Sequence, residues 1–140
     1  MVEQKIRSGQ DLRQDGIRAA ADRIPLLLYF SQQFCGYCER LEEEVLLPMM
    51  ISGHYADRII LRKLSIDPGE EVTGFDGRKL DNRMLFHEYD GIVTPTLVLT
   101  DDTGQPLTKP LAGINTVEYF GWYLDSAIDT ATRAMRSPDR

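Results

Sequence analysis

The chain is short of several things, and each shortage removes a class of protein. Cysteine is scarce: there are two in 140 residues, Cys35 and Cys38. A scaffold stapled by several disulfides is therefore excluded. Positive charge is in deficit, with 16 Lys and Arg against 22 Asp and Glu and a net charge of −6. That balance argues against non-specific nucleic-acid binding, which needs a basic surface. Long apolar runs are missing. Nothing approaches the roughly 20 apolar residues that span a bilayer, and the longest run, Ile24 to Phe30, is strand-sized. The chain reads as not membrane-embedded. No internal repeat and no low-complexity linker divides it.

What is present fits a globular domain. The hydrophobic fraction is 42%, ordinary for a packed protein, and one Trp, six Tyr and five Phe supply bulk for a core. The length suits one domain over 1–140, because two cores of about 70 residues each would be small. Residues Met1 to Arg23 carry charges throughout, so they are not a signal peptide as written. Either the protein is cytosolic or a leader has been removed.

Helix and strand signals alternate along the chain, which predicts an α/β layered domain. Residues 1–24 read as a helical extension, with Leu12, Ile17, Ala20, Ala21 and Ile24 facing inward and Gly16 weakening the helix. Pro25 blocks its continuation. Leu26 to Phe30 reads as a strand covered on both faces. A helix follows from the cysteines, with Cys38, Leu41 and Val45 on one face and Glu39, Arg40, Glu42, Glu43 and Glu44 on a solvated one. Pro48 is expected to end or kink it. Ile59 to Ile66 is a second strand. Residues 69–91 form an inserted loop and short helix, with Leu80, Met84, Leu85 and Tyr89 inward. Thr94 to Thr100 is a third strand, Asp101 to Gly104 a turn, and Gln105 to Leu111 a returning edge strand limited by Pro106 and Pro110. A last helix carries Val117, Phe120, Leu124, Ala127, Ile128, Ala131 and Met135 as its stripe.

Cys35-Gly36-Tyr37-Cys38 has three readings: two adjacent core cysteines, half a zinc site, or a redox dithiol. Zinc wants four ligands, and the rest of the chain offers only His54 and His87, far apart and without finger spacing. His54 and His87 themselves read as structural or exposed. The pair follows an apolar strand and opens a helix. Unpaired N–H groups and the macrodipole at a helix start stabilise a thiolate, the attacking species. That favours the dithiol. Cys35, ahead of the helix body, is the expected nucleophile. Cys38, one turn further in, resolves the mixed disulfide.

These residues carry a resemblance to thioredoxin-fold thiol–disulfide oxidoreductases, in particular to the small exported bacterial thioredoxin-like proteins of the SoxW kind. It rests on an ordered set of features: the strand leading into Phe34-Cys35-Gly36-Tyr37-Cys38, then Lys63-Leu64-Ser65-Ile66-Asp67, then Thr94-Pro95, then Gly113 before the final helix. The resemblance implies a thioredoxin fold, a central mixed β-sheet flanked by helices on both faces. It implies a cis bond before Pro95, which would lie beside the cysteines, with the Thr94 backbone free to pair with an extended substrate. Phe34, Gly36, Tyr37, Thr94 and Pro95 would then form the substrate-binding surface.

The chain departs from the thioredoxin pattern at three places. Phe34 replaces a tryptophan, keeping aromatic packing but losing the indole N–H. Tyr29 stands where thioredoxins bury an aspartate, the proton acceptor for the resolving thiol. Lys63 thereby lacks its usual partner, and is expected to pair with an acid such as Glu39 or to face solvent. Gly36-Tyr37 differs from the Gly-Pro of reducing thioredoxins and occurs in periplasmic disulfide isomerases, hinting at a less reducing couple.

The resemblance implies a monomeric periplasmic reductase. It would act on protein or peptide disulfides without a cofactor, receiving electrons from a thiol–disulfide donor linked to the membrane. The alternatives are a cytosolic thioredoxin-like reductase and a thioredoxin-fold binding module with little redox activity. The insertion at 69–91 would form a flap near the active site.

Overall fold

The computed structural model describes residues 6–112 and 117–138. Gly113, one of the four features of the resemblance, lies outside the described residues. The fold is organised by β1 (Leu26–Ser31), every residue of which is buried. Alternate side chains of a strand point to opposite faces, and here both faces are covered. Leu27 and Tyr29 join a core with Cys38, Leu41, Leu124 and Ile128. Leu26, Leu28 and Phe30 join a second core with Leu12, Ile24, Leu85 and Phe86. The uninterrupted apolar run follows from that double burial.

The remaining strands are placed around β1. Parallel to it runs β2 (Ile60–Ser65), pairing Tyr29 with Lys63 and Ser31 with Ser65. On the other side β5 (Thr96–Thr100) runs antiparallel, followed by the two-residue edge strand β6 (Leu111–Ala112). The sheet order is β2-β1-β5-β6, a mixed sheet with helices on both faces. A separate hairpin is formed by β3 (Glu71–Thr73) and β4 (Lys79–Asp81).

Several expectations from the sequence are corrected. The extension is not wholly helical. Residues ahead of α1 (Leu12–Asp22) lie along β2, where Lys63 N–H donates to the Arg7 carbonyl and Gly9 N–H to that of Lys63. This occupies a strand edge that would otherwise be open. The inward face of α1 is Leu12, Gly16 and Ala19, whereas Ile17, Ala20 and Ala21 are exposed. Gly16 is there for space: a Cβ would run into the Asp102 backbone carbonyl. The helix is capped by the Asp11 side chain, which accepts from Gln14 N–H, and it ends at Arg23 in the left-handed region before Pro25.

Of the two outcomes expected of Pro48, an end or a kink, the helix does not end: it is interrupted by a π-turn just ahead of the proline and continues. The chain runs from α2 (Gly36–Leu41) through one π-turn (Glu42–Leu46) into α3 (Leu47–Ser52), with Pro48 in the first turn of α3. Leu47 N–H reaches back five residues to Glu42 O. That wider turn accommodates a residue with no N–H of its own.

In α4 (Asn82–Glu88) the buried side chains are Asn82, Leu85 and Phe86, while Met84 is exposed and Leu80 belongs to β4. The return from β5 is mostly irregular. Leu107 N–H donates to Leu99 O, but regular pairing waits for β6, because Pro106 and Pro110 have no N–H to donate. The 69–91 insertion is the β3–β4 hairpin plus α4. It docks on the body: Val72 is buried, and Thr73 N–H bonds to Gln10 O. The closing helix α5 (Val117–Met135) lays Phe120, Leu124, Ile128, Ala131 and Met135 against the sheet; Ala127 is only half-buried and Val117's side chain lies outside the described set.

The Gly16 contact gives a test. Gly16→Ala gains helix propensity of up to about 1 kcal/mol but must displace backbone rather than a mobile side chain. We expect a net loss of about 1–3 kcal/mol, as for other overpacked sites. Urea unfolding should show it as a lowered midpoint, while Ile17→Ala, on the exposed face, should stay within about 0.5 kcal/mol of the parent.

Candidate active site

The sharp join between β1 and α2 sets the cysteines. Gln33 N–H donates to the Asp67 carboxylate, which also accepts from Ser65 Oγ, so the loop leaving β1 is tied to the end of β2. Phe34 follows with φ 57°, in the left-handed region that bulky residues avoid. Cys35 is then the N-cap of α2. Its Sγ accepts from Cys38 N–H at 3.2 Å, and its carbonyl accepts from Glu39 N–H at 3.1 Å. The sulfur therefore sits where a helix start offers a free N–H to an anion. Cys35 and Cys38 form a disulfide with Cα atoms 5.2 Å apart. Cys35 is half-buried and Cys38 is 2% exposed.

The strand β5 brings up the other wall. The Thr94–Pro95 peptide bond is cis. The Thr94 carbonyl lies 3.6 Å from Cys35 Sγ, and Thr94 Oγ1 lies 3.5 Å from the same sulfur. Gln32 Nε2 donates to Thr94 Oγ1 at 2.7 Å, holding that residue from the side of β1. Pro95 is buried. Gly36 faces open space. Phe34 (99% exposed), Tyr37, Ile92 and Val93 are exposed apolar side chains flanking these two segments in sequence. The expectation that Phe34 keeps the aromatic packing of a tryptophan is thus overturned: its backbone conformation turns the ring out to solvent.

In the charged part of the site Lys63 does pair with an acid, as expected, but the acid is not Glu39. Lys63 pairs with Glu42, its Nζ 2.9 Å from Oε2 and 3.2 Å from Oε1, and Glu39 is exposed. The reason is helical geometry. One residue advances about 100° around the axis, so Glu42, four after Cys38, shares its inward side, and Glu39 does not. Tyr29 completes the group. Its hydroxyl donates to Glu42 Oε2 at 2.8 Å, with a longer contact of 3.3 Å to the Cys38 carbonyl. Burial pushes the Tyr29 hydroxyl well above its ordinary value of 10.0, and the Glu42 carboxylate raises it further. It stays a donor at any physiological pH.

Glu42 was assigned by sequence to a solvated acidic face. The signal that finds it is its spacing from Cys38 together with Lys63 on the strand beside Tyr29. Gln32, which holds one wall, carries no motif, and Asp67, which holds the other, stands out in the sequence only as the end of the Lys63-to-Asp67 stretch, with no role. A groove beside the pair is bordered by Gln33, Glu39, Glu42, Lys63, Asp67 and Glu70. Among the described residues no group of three or more His, Cys, Asp or Glu side chains is placed to hold a metal ion.

A family model described as a thioredoxin-like domain matches residues 12–128. The chain belongs to the thioredoxin-like family. It is a thioredoxin-like oxidoreductase whose dithiol is the Cys35–Cys38 pair. No curated protein matches it by sequence. Among solved structures it is similar to one described as DsbH oxidoreductase, with a TM-score of 0.65 at 15% identity over 92% of this chain and 93% of the other. It is similar also to oxidised thioredoxin O2 from Arabidopsis thaliana, with a TM-score of 0.57 at 16% identity over 86% and 91%. A third is thioredoxin f2 from a complex with ferredoxin:thioredoxin reductase, with a TM-score of 0.57 at 20% identity over 87% and 94%. At these identities the likeness is one of fold.

Buried tyrosines contribute to the alkaline behaviour of this thioredoxin-like protein. Tyr29 and Tyr89 are both pushed well above the ordinary 10.0, chiefly by burial. Unfolding frees them to ionise near that ordinary value, so above it the unfolded chain binds fewer protons than the native one. Stability is then complete below about pH 10 and falls as pH rises beyond it. Thermal melts at stepped alkaline pH should show this decline, and Tyr29→Phe should make it shallower.

Proposed function

We propose that this protein is a periplasmic reductase of protein or peptide disulfides, with Cys35 as nucleophile and Cys38 as resolver. The observation that carries the assignment is the Cys38 N–H aimed at Cys35 Sγ. It stabilises the Cys35 thiolate once the pair is reduced. Cys38, with its sulfur in the core, is poorly placed to meet an incoming chain.

The steps follow. Cys35 thiolate attacks one sulfur of a substrate disulfide, forming a mixed disulfide and releasing the other substrate sulfur as thiolate. Cys38 then attacks Cys35 Sγ and releases the second substrate thiol. Two electrons pass to the substrate, and the pair returns to the disulfide seen here. The Thr94 backbone beside Cys35 supports strand-like pairing with an extended substrate. The exposed Phe34, Tyr37, Ile92 and Val93 would add apolar contact. The resemblance to exported thioredoxin-like proteins supports a periplasmic setting and a membrane-linked thiol donor.

Insulin reduction tests the activity. Cys38→Ser should accumulate mixed disulfides with substrates, and Cys35→Ser should not; the reverse pattern would exchange the two roles. Equilibration with glutathione should place the couple nearer about −270 mV than about −120 mV, since the latter belongs to disulfide-forming oxidants. Failure to reduce insulin, with biological activity surviving Cys35→Ala, would make the protein a binding module instead. Fractionation of the source cells with an antibody should find it in the periplasm; a cytosolic location returns the cytosolic-reductase reading.

A further inference from the structure

We propose that Glu42 is the proton acceptor for the Cys38 thiol in the resolving step, a carboxylate supplied from the helix because Tyr29 occupies the strand position. The inference rests on the redox reading above and deepens it. Four observations converge on Glu42. Its side chain is partly buried, 21% exposed, on the inward side of the helix four residues after Cys38. Its backbone N–H is bonded to the Cys38 carbonyl. The Tyr29 hydroxyl touches both the Glu42 carboxylate and that same carbonyl. The carboxylate and the two cysteines border one groove.

Its partners leave it able to take a proton. A carboxylate has about four lone-pair sites. The Tyr29 hydroxyl and Lys63 Nζ occupy Oε2, and Lys63 Nζ makes the longer contact to Oε1. Among the described residues, one site on Oε1 is left without a partner. Lys63 holds the carboxylate in place, and Tyr29, held protonated by burial, orients it without competing for the proton. The other titratable groups around it are Cys35, Cys38 and Glu39 from the helix, and Asp67 and Glu70 from the loop beyond β2.

The step balances. The Cys38 S–H proton passes to Glu42, and the resulting thiolate attacks Cys35 Sγ. The Cys35–Cys38 bond forms as the bond from Cys35 to the substrate sulfur breaks. That sulfur leaves with the electron pair and takes up the proton, regenerating the Glu42 carboxylate.

The reduced protein mixed with one equivalent of the aromatic disulfide dithionitrobenzoate releases two coloured thiolates, the first on Cys35 attack and the second on Cys38 resolution. Glu42→Gln keeps the shape and a hydrogen-bond acceptor for Tyr29 but removes the base. We expect the second phase to slow by about 100-fold near neutral pH. It should converge on the parent rate at alkaline pH, where the buried Cys38 thiol ionises unaided. The first phase serves as the internal control for folding, and Glu42→Asp should recover part of the second. A second phase in Glu42→Gln that matches the parent at every pH overturns the assignment. So does an equal slowing of both phases at all pH values, which marks a structural role. A parent protein that never releases the second thiolate defeats the redox reading itself, and is distinguishable from both.

Discussion

Burial of β1 on both faces is the constraint from which the rest of the molecule follows. Six consecutive residues with no solvent on either side require a helical layer above and another below. They also require a strand on each flank to satisfy the backbone. The parallel partner β2 and the antiparallel partner β5 meet that demand, and each delivers part of the site. β2 carries Lys63 to the side of Tyr29, and the segment entering β5 carries Thr94-Pro95 to Cys35. The helix that starts at the end of β1 has to cover the same face, which places Cys38 in the core and leaves Cys35 at its rim.

The same packing explains how the site tolerates Tyr29. A carboxylate on the central strand would be a charge taken out of water at the middle of the sheet, costly unless paired. Here the strand contributes a neutral phenol. The charge sits one layer out, on a helix residue that remains partly hydrated and has a lysine and a phenol to hold it. The π-turn that begins at Glu42 is part of this arrangement. It widens the helix after Glu42, just ahead of Pro48, and carries the chain on into α3.

Much of the layout was legible before any coordinates. The apolar run at β1, the cysteines at a helix start and Thr94-Pro95 opening a strand are local signals, each set by neighbours in sequence. Legibility failed where a contact across the fold decides. Ile17 has a helical period but no partner, and Gly16, apparently a weak point, is where α1 meets the Asp102 carbonyl. Met84, expected inward, is exposed, and Phe86 is buried in its stead, its ring packed obliquely on Phe30. Glu42 looked like one of three equivalent acids, and only its rotation about the helix axis distinguishes it from Glu43 and Glu44.

The sequence by itself determined which chemistry is carried: two cysteines, spaced to share one helical turn, behind a strand that cannot face water. Those properties are local, written in spacing and in hydrophobicity. Tertiary structure alone decided which charged and polar groups surround that chemistry. The Lys63–Glu42–Tyr29 cluster and the Gln32–Thr94 bridge join residues far apart along the chain. Such pairings depend on strand register and helix rotation, which emerge only when the layers are packed together.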